Sequence, residues 1–384
     1  MLVTGASGFI GGRLVERLVT ECGASVRVFV RERARAAQLS RFPIEVATGD
    51  LRTDTDVEAA MSGCEVVFNC VKATDGTPAE RLALETGGVR NVLDAALRGR
   101  ASRVVHVSTM VVYDVPNEGE LDESATRRGS GGDLYADLKR RAEEVVRGYA
   151  GRLAVVLIQP TVVYGPRAGV YGRDLIEELR SRRIPLVDGG AGTCNALYVD
   201  DLVSALLLAA TSDNGAGHAF LVSGPDHPTW REFFAAFERM LGVQRLVPVS
   251  MSEARRLWRA ESRRGWLVPE ALRAVREDRR LRSRLLETRE GALLRGAAHR
   301  LLPDSFFAPE RWPDRSERSP APPAEPPLVA FPPEVVRFVA SRARVSSTKA
   351  RELLGYRPVF GFEAGMRLTE AWARWEGLLD GGEP

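Results

Sequence analysis

Two side chains and one glycine-rich turn carry most of the chemistry readable in this sequence. Tyr135 and Lys139 stand four residues apart, so on a helix they share one face, a phenol one turn from an ammonium. A phenol that exchanges protons near pH 7 must be lowered from about 10 toward 7, a preference for phenolate of about 4 kcal/mol. One ammonium at ~4 Å in an effective dielectric near 20 supplies about that amount. Tyr135 comes 26 residues after Thr109, which follows the β-rich run Val104-Val105-His106-Val107-Ser108. That places both at the carboxyl edge of a sheet, where open α/β folds bind ligands. Lysine is scarce: of 54 basic residues only Lys72, Lys139 and Lys349 are lysine. A position that stays lysine in so arginine-rich a chain points to a need for a compact ammonium, which can also hydrogen-bond a ribose hydroxyl.

The turn is Thr4-Gly5-Ala6-Ser7-Gly8-Phe9-Ile10-Gly11-Gly12, between a first strand and a first helix. There, glycines let the backbone approach a pyrophosphate, and the helix N-terminus offers free N–H groups and positive dipole. The second strand ends Val30-Arg31-Glu32-Arg33, and Arg31 favours the 2′-phosphate of NADP, while Glu32 beside it leaves NAD open. Asp50, in Gly49-Asp50-Leu51 after the third strand, is expected near the adenine, and Asn69, ending the fourth, beside the pyrophosphate.

The elements that must position these groups alternate along the first half of the chain, the pattern of a parallel sheet with crossover helices. Strands are expected over 1–4, 25–30, 44–47, 65–70, 103–108 and 154–158, and helices over 11–22, 55–61, 79–97 and 134–149. Beyond residue 166 come helices over 174–181, 200–211 and 230–241 and a short strand over 219–222. Segment 251–318 holds 17 Arg and no Lys against 11 acidic residues, and 319–333 is Pro-rich, an expected extended and poorly ordered connector. Helices follow over 347–354 and 362–379.

A net charge of +3 over 384 residues gives no reason to expect nucleic acid, so a small ligand is the expected partner. Scattered Cys and His predict no metal site, and the N-terminus lacks the charged and apolar regions of a secretion signal, which reads as cytoplasmic. Leu285, Leu286, Leu293, Leu294, Leu301 and Leu302 alternate with arginines, which suits a helical lid and, second to it, a membrane-facing basic surface.

TGASGFIG (4–11), GDL (49–51), NVLDAA (91–96), VHVSTMVVY (105–113), YADLK (135–139), QPTVVYGP (159–166), NALYVDDL (195–202) and KARELLGYRP (349–358) together resemble the extended short-chain dehydrogenase/reductases, the NAD(P)-dependent epimerase/dehydratase group. The resemblance implies a Rossmann-type doubly wound α/β fold. The dinucleotide-binding domain is expected over 1–165, a smaller mixed α/β substrate domain over 166–250 and 345–384, and an Arg-rich helical insert and linker over 251–344. It implies Tyr135 as catalytic acid or base, Lys139 as holder of the nicotinamide ribose, and Thr109 as orienter of the substrate oxygen. Pro160, Val162 and Val163 are then expected along the nicotinamide amide, and a homodimer through the helices at 79–97 and 134–149.

The chain departs from the family pattern at Gln159, Tyr198 and Glu85, where Arg, His and Asn are common. Met110 and Val111 replace the Asp-Glu pair of sugar 4,6-dehydratases, which disfavours dehydration. The expected activity is hydride transfer between the nicotinamide and a secondary alcohol or ketone, first of a nucleotide-linked sugar, by epimerisation or keto reduction. A sterol-like or aromatic alcohol is the alternative, and a non-catalytic dinucleotide binder the alternative of another class.

Overall fold

The computed structural model describes residues 1–129, 133–266 and 325–379. In chain order the strands are β1 (Leu2–Thr4), β2 (Arg27–Val30), β3 (Glu45–Thr48), β4 (Val66–Asn69), β5 (Arg103–Val107), β6 (Glu120–Leu121), β7 (Val155–Pro160), β8 (Val162–Tyr164), β9 (Ile184–Val187), β10 (Ala196–Tyr198), β11 (Ala219–Val222), β12 (Leu246–Val249) and β13 (Arg344–Val345). The helices are α1 (Phe9–Thr20), α2 (Asp54–Met61), α3 (Pro78–Leu82), α4 (Val89–Arg98), α5 (Leu134–Arg147), α6 (Asp174–Ser181), α7 (Val199–Thr211), α8 (Trp230–Leu241), α9 (Met251–Trp266), α10 (Pro333–Ala340), α11 (Thr348–Leu354) and α12 (Phe362–Trp375).

Seven strands form one all-parallel sheet in the order β11-β7-β5-β4-β1-β2-β3. Strand order reverses between β1 and β4, the position where doubly wound sheets open a crevice at their carboxyl ends. Its strands are rich in β-branched residues buried on both faces. In β4, Val67 joins the apolar layer with Val57, Met61, Val92 and Leu93 of α2 and α4, while Phe68 joins the opposite layer with Leu14, Leu18, Leu202 and Leu206 of α1 and α7. Each such side chain contributes about 1.5–3 kcal/mol. The helix–strand approach at the turn requires glycine, because a Cβ on Gly11 would strike the Gly5 carbonyl and one on Gly5 (φ +69°) would lie 2.7 Å from the Cys70 oxygen.

The structure alters three expectations. The sheet has a seventh strand: β11, from the stretch assigned to the substrate domain, pairs with β7 and completes the first domain's sheet. The helix expected over 79–97 is interrupted by a π-helical turn, Ala83–Gly88, between α3 and α4. The described end of the Pro-rich connector is extended but tied down: Arg183 N donates to Pro327 O and Val329 N to Arg183 O, both at 2.9 Å. It then enters α10, with proline in the first turn, where the missing N–H costs nothing. The leucine–arginine pattern at 285–302 lies outside the described residues. No helix among the described residues is long and apolar enough to cross a membrane.

Candidate active site

A cleft of about 1340 Å³ runs along the carboxyl edge of the sheet, from Arg31 and Arg35 at one end to α10 at the other. That exceeds the ~300–1,000 Å³ usual for one small ligand and suits a dinucleotide plus a substrate. α1 begins at Gly8 with no side-chain cap, so its free N–H groups and positive dipole end open toward the cleft beside Ser7, Phe9 and Ile10. At the middle of the cleft, the buried Ser108 hydroxyl has no hydrogen-bond partner among the described residues. These features fit a dinucleotide with its pyrophosphate on α1 and its nicotinamide near Ser108.

Thr109 leaves the end of β5, and its Oγ1 accepts from Val111 N at 3.4 Å. Tyr135 opens α5, whose N-terminus is capped by Asp133 Oδ1 accepting from Tyr135 N at 2.9 Å. The Thr109 hydroxyl stands near enough to the Tyr135 phenol to favour its ionised form. One turn on, Lys139 is buried and fixed: its Nζ donates to Val71 O at 2.9 Å and pairs with Glu85 Oε2 at 3.1 Å. Glu85 Oε1 accepts from Ala73 N at 2.8 Å. Glu85 rides on the π-helical turn, a distortion often found at functional sites, and only 2% of it is exposed.

This pairing changes the electrostatic expectation. Burial holds the Tyr135 phenol above its ordinary value, Lys139 and the Thr109 hydroxyl pull it down, and Glu85 and Asp133 push it back up. The phenol near 7 expected from an isolated Lys139 is therefore not what the resting site provides, because burial outweighs the ammonium and the Glu85 carboxylate paired with it adds to the effect. Tyr135 stands as a protonated acid ready to donate.

Of the residues singled out in the sequence, Gly5, Ser7, Gly8, Phe9, Ile10 and Gly11 line the cleft at the turn, and Arg31, Asp50 and Leu51 line it as well. Thr109, Tyr135, Lys139, Pro160, Val162 and Val163 line the same cleft. The Asn69 side chain is used inside the sheet instead: Oδ1 accepts from Thr4 Oγ1 at 2.7 Å and Nδ2 lies 3.1 Å from His106 Nδ1. Arg52 holds the Asp50 carboxyl below the ordinary range. Gln159 does not reach the cleft; it is fully buried, accepting from Tyr113 Oη at 3.0 Å and donating to Glu143 Oε1 at 2.7 Å.

Three contributors escaped sequence reasoning. Lys72 reaches over Tyr135, with Nζ 4.8 Å from the ring centroid. Glu85 registers in the sequence as a departure, yet its partner is 54 positions away and no spacing links them. α10 brings Glu334, Val335, Arg337 and Phe338 to the cleft, with Phe338 seated against Trp230 at 5.7 Å between ring centroids. Its signal was present, a proline pair followed by Val335, Val336 and Val339 at helical spacing.

Similarity to known proteins agrees with this architecture. A ketoreductase from Stigmatella aurantiaca, named for 4-hydroxy-2-methyl-3-oxo-4-farnesyl-3,4-dihydroquinoline-1-oxide, is 30% identical over 283 residues, 70% of this chain and 82% of its own. Sterol demethylase protein B of Methylococcus capsulatus is 30% identical over 257 residues, 64% of this chain and 75% of its own. Among solved structures, a dTDP-glucose 4,6-dehydratase from Streptomyces venezuelae with NAD bound superposes with a TM-score of 0.66 at 19% identity, covering 99% of this chain and 98% of the other. UDP-glucuronic acid 4-epimerase from Bacillus cereus, also with NAD, gives 0.65 at 15% identity, covering 97% and 98%. The profile of the NAD-dependent epimerase/dehydratase family matches residues 1–223, the segment that builds all seven strands of the sheet and the glycine turn. A match over more than half of the sequence, laid on the same fold, leads to one conclusion: the chain belongs to the NAD-dependent epimerase/dehydratase family of enzymes.

Proposed function

We propose that the protein is an NAD(P)-dependent ketoreductase that interconverts a ketone and a secondary alcohol on a bulky, largely apolar skeleton. The observation that carries the reading is what surrounds the Thr109–Tyr135 pair. Met110 and Val111 follow Thr109, so no carboxylate stands there to remove water, and Val115, Tyr171, Val335 and Phe338 line the substrate end. The relatives named for a ketoreductase and a sterol demethylase resemble this chain more closely in sequence than the nucleotide-sugar enzymes, which share the fold at 15–19% identity.

When bound, the nicotinamide supplies or accepts hydride. Thr109 holds the carbonyl oxygen, and Tyr135 donates its proton to that oxygen as it gains charge. Lys139 has three donors, of which Val71 O and Glu85 take two, leaving one for a ribose hydroxyl. NADP is the proposed dinucleotide, because Arg31 and Arg35 line the adenine end while Glu32 does not.

A nucleotide-linked sugar is the second reading, favoured by Arg167 and Arg337, which line the cleft without an ion pair among the described residues and would suit a diphosphate. Pairing of two copies through α4 and α5 belongs to the same proposal, and light scattering tests it. For the activity, wild type and Tyr135→Phe are compared on a panel of cyclic and linear ketones, following oxidation of reduced nicotinamide. The expected result is a loss of about 10²–10⁴ in kcat with cofactor affinity retained. Turnover undiminished in Tyr135→Phe rules the assignment out.

A further inference from the structure

We propose that the Tyr171 hydroxyl hydrogen-bonds a second, uncharged oxygen of the substrate, apart from the one that reacts, and so selects ketones that also carry an ether, hydroxyl or further carbonyl group. The inference rests on the ketoreductase reading above and sharpens it.

Tyr171 stands between β8 and α6 in a π-helical turn, Gly169–Arg173, whose regular course it breaks with φ −101° and ψ 39°. That lies close to the sparsely populated bridge region, where active-site residues recur, and π-helical turns gather at functional sites. Packing holds the ring in place: Trp230 lies 6.1 Å and Phe233 5.9 Å from it between centroids, the latter edge-on at 89°. Both of these rings are buried, and Trp230 in turn carries Phe338 of α10. Backbone and ring are thus fixed, and what remains free is the hydroxyl.

A tyrosine hydroxyl in a folded interior ordinarily finds a partner. Tyr113 donates to Gln159, Tyr149 to Asp94, Tyr164 to Phe362 O and Tyr356 to Ser223 O. Tyr171 forms no hydrogen bond among the described residues, yet it lines the cleft together with Thr109 and Tyr135. Tyr198 shares that lack but does not line the cleft. Tyr171 stands near enough to Tyr135 for an ionised phenol there to disfavour its own ionisation, and burial already holds it above the ordinary phenol value. Its hydroxyl therefore stays protonated through the working pH range, a fixed donor close to the phenol that exchanges the proton.

Counting lone pairs shows which substrate atom it meets. A carbonyl oxygen has two, and Thr109 and Tyr135 take both when they hold the reacting group. A third donor nearby is left for a different oxygen. Neighbouring charges do not choose that group, since Lys72 and Arg167 line the cleft along with Asp133 and Asp174. A phenol brings no charge to offset an anion, so an uncharged oxygen is its match. The substrate is then an apolar skeleton with two oxygen functions, one reduced between Thr109 and Tyr135 and one held by Tyr171, which acts as a specificity-determining residue.

The test compares kcat and KM of wild type and Tyr171→Phe with NADPH on 2-, 3- and 4-methoxycyclohexanone. Each is paired with the ethylcyclohexanone of the same position, in which a methylene replaces the ether oxygen. At one ring position at least, wild type is expected to favour the methoxy ketone in kcat/KM by about tenfold, the worth of one hydrogen bond. Tyr171→Phe, which keeps the ring against Trp230 and Phe233, should lose that preference, chiefly through KM. A loss of packing alone lowers both members of a pair alike and leaves their ratio where it was. A ratio that survives in Tyr171→Phe, or no methoxy preference in wild type at any position, overturns the assignment, as does a wild type that reduces other ketones but none of this series. A wild type that reduces no ketone of any kind overturns the ketoreductase reading itself, which keeps the two failures apart.

Discussion

Replacing Glu85 by Gln isolates the carboxylate that offsets Lys139. The amide keeps an oxygen for the Ala73 N–H, now accepted at 2.8 Å, but removes the negative charge 3.1 Å from Lys139 Nζ. With that charge gone, the phenolate form of Tyr135 becomes easier to reach. Removing one nearby like charge shifts such a titration by roughly one to two pKa units, or about 1.4–2.7 kcal/mol. The readout is the pH dependence of kcat/KM in the direction of alcohol oxidation, which needs the base form and falls as pH drops through the phenol's apparent pKa. In Glu85→Gln that limb should move to lower pH by one to two units. The variant should also lose stability, because an unpaired buried ammonium costs about 3–5 kcal/mol. A limb that stays in place in a folded, cofactor-binding variant would show that Glu85 does not act on Tyr135 at all.

His106 offers a check through stability. Burial and nearby Lys139 push its imidazole from the ordinary 6.5 down to about 3, so the native state holds it neutral. As pH falls below 6.5 the unfolded chain binds a proton the native site refuses, and stability drops by about 1.4 kcal/mol per pH unit until about pH 3. In urea unfolding at pH 7.5 and pH 5, His106→Gln should narrow the gap between the two conditions by about 2 kcal/mol; equal gaps in both proteins would contradict it. At the other end of the cleft, Arg31→Ala combined with Arg35→Ala should raise KM for NADPH about tenfold or more while changing KM for NADH little. Parallel increases for both cofactors would remove the 2′-phosphate role.

The sheet was legible in the sequence because its strands bury both faces and read as short Val-rich runs, and because the glycine turn marks the join of β1 and α1. β11 was seen as a strand but not as part of the same sheet, since the pairing of Ala219–Val222 with β7 is a contact across some sixty residues that no local pattern records. The phenol and its lysine were legible because they sit one helical turn apart. The other groups around the phenol were not: Lys72 reaches its ring from the loop after β4, and Glu85, which raises its pKa, acts from a π-helical turn. The Pro-rich stretch misled in a different way, since proline marks both connectors and first turns of helices, and only the Trp230–Phe338 contact shows which applies to α10.

The two walls of the cleft come from distant parts of the chain, each with anchors of its own. Thr109 and Tyr135 are braced by the buried chain from Tyr113 through Gln159 to Glu143, which locks the segment after β5, β7 and α5 into one block. α10 on the facing side is anchored through Phe338 on Trp230 and through Ser341 Oγ, which donates to Pro116 O at 2.6 Å. Such an enzyme works like a vice with one fixed jaw: exchanging residues along α10 can retune which molecules are gripped while the proton-donating machinery keeps its alignment.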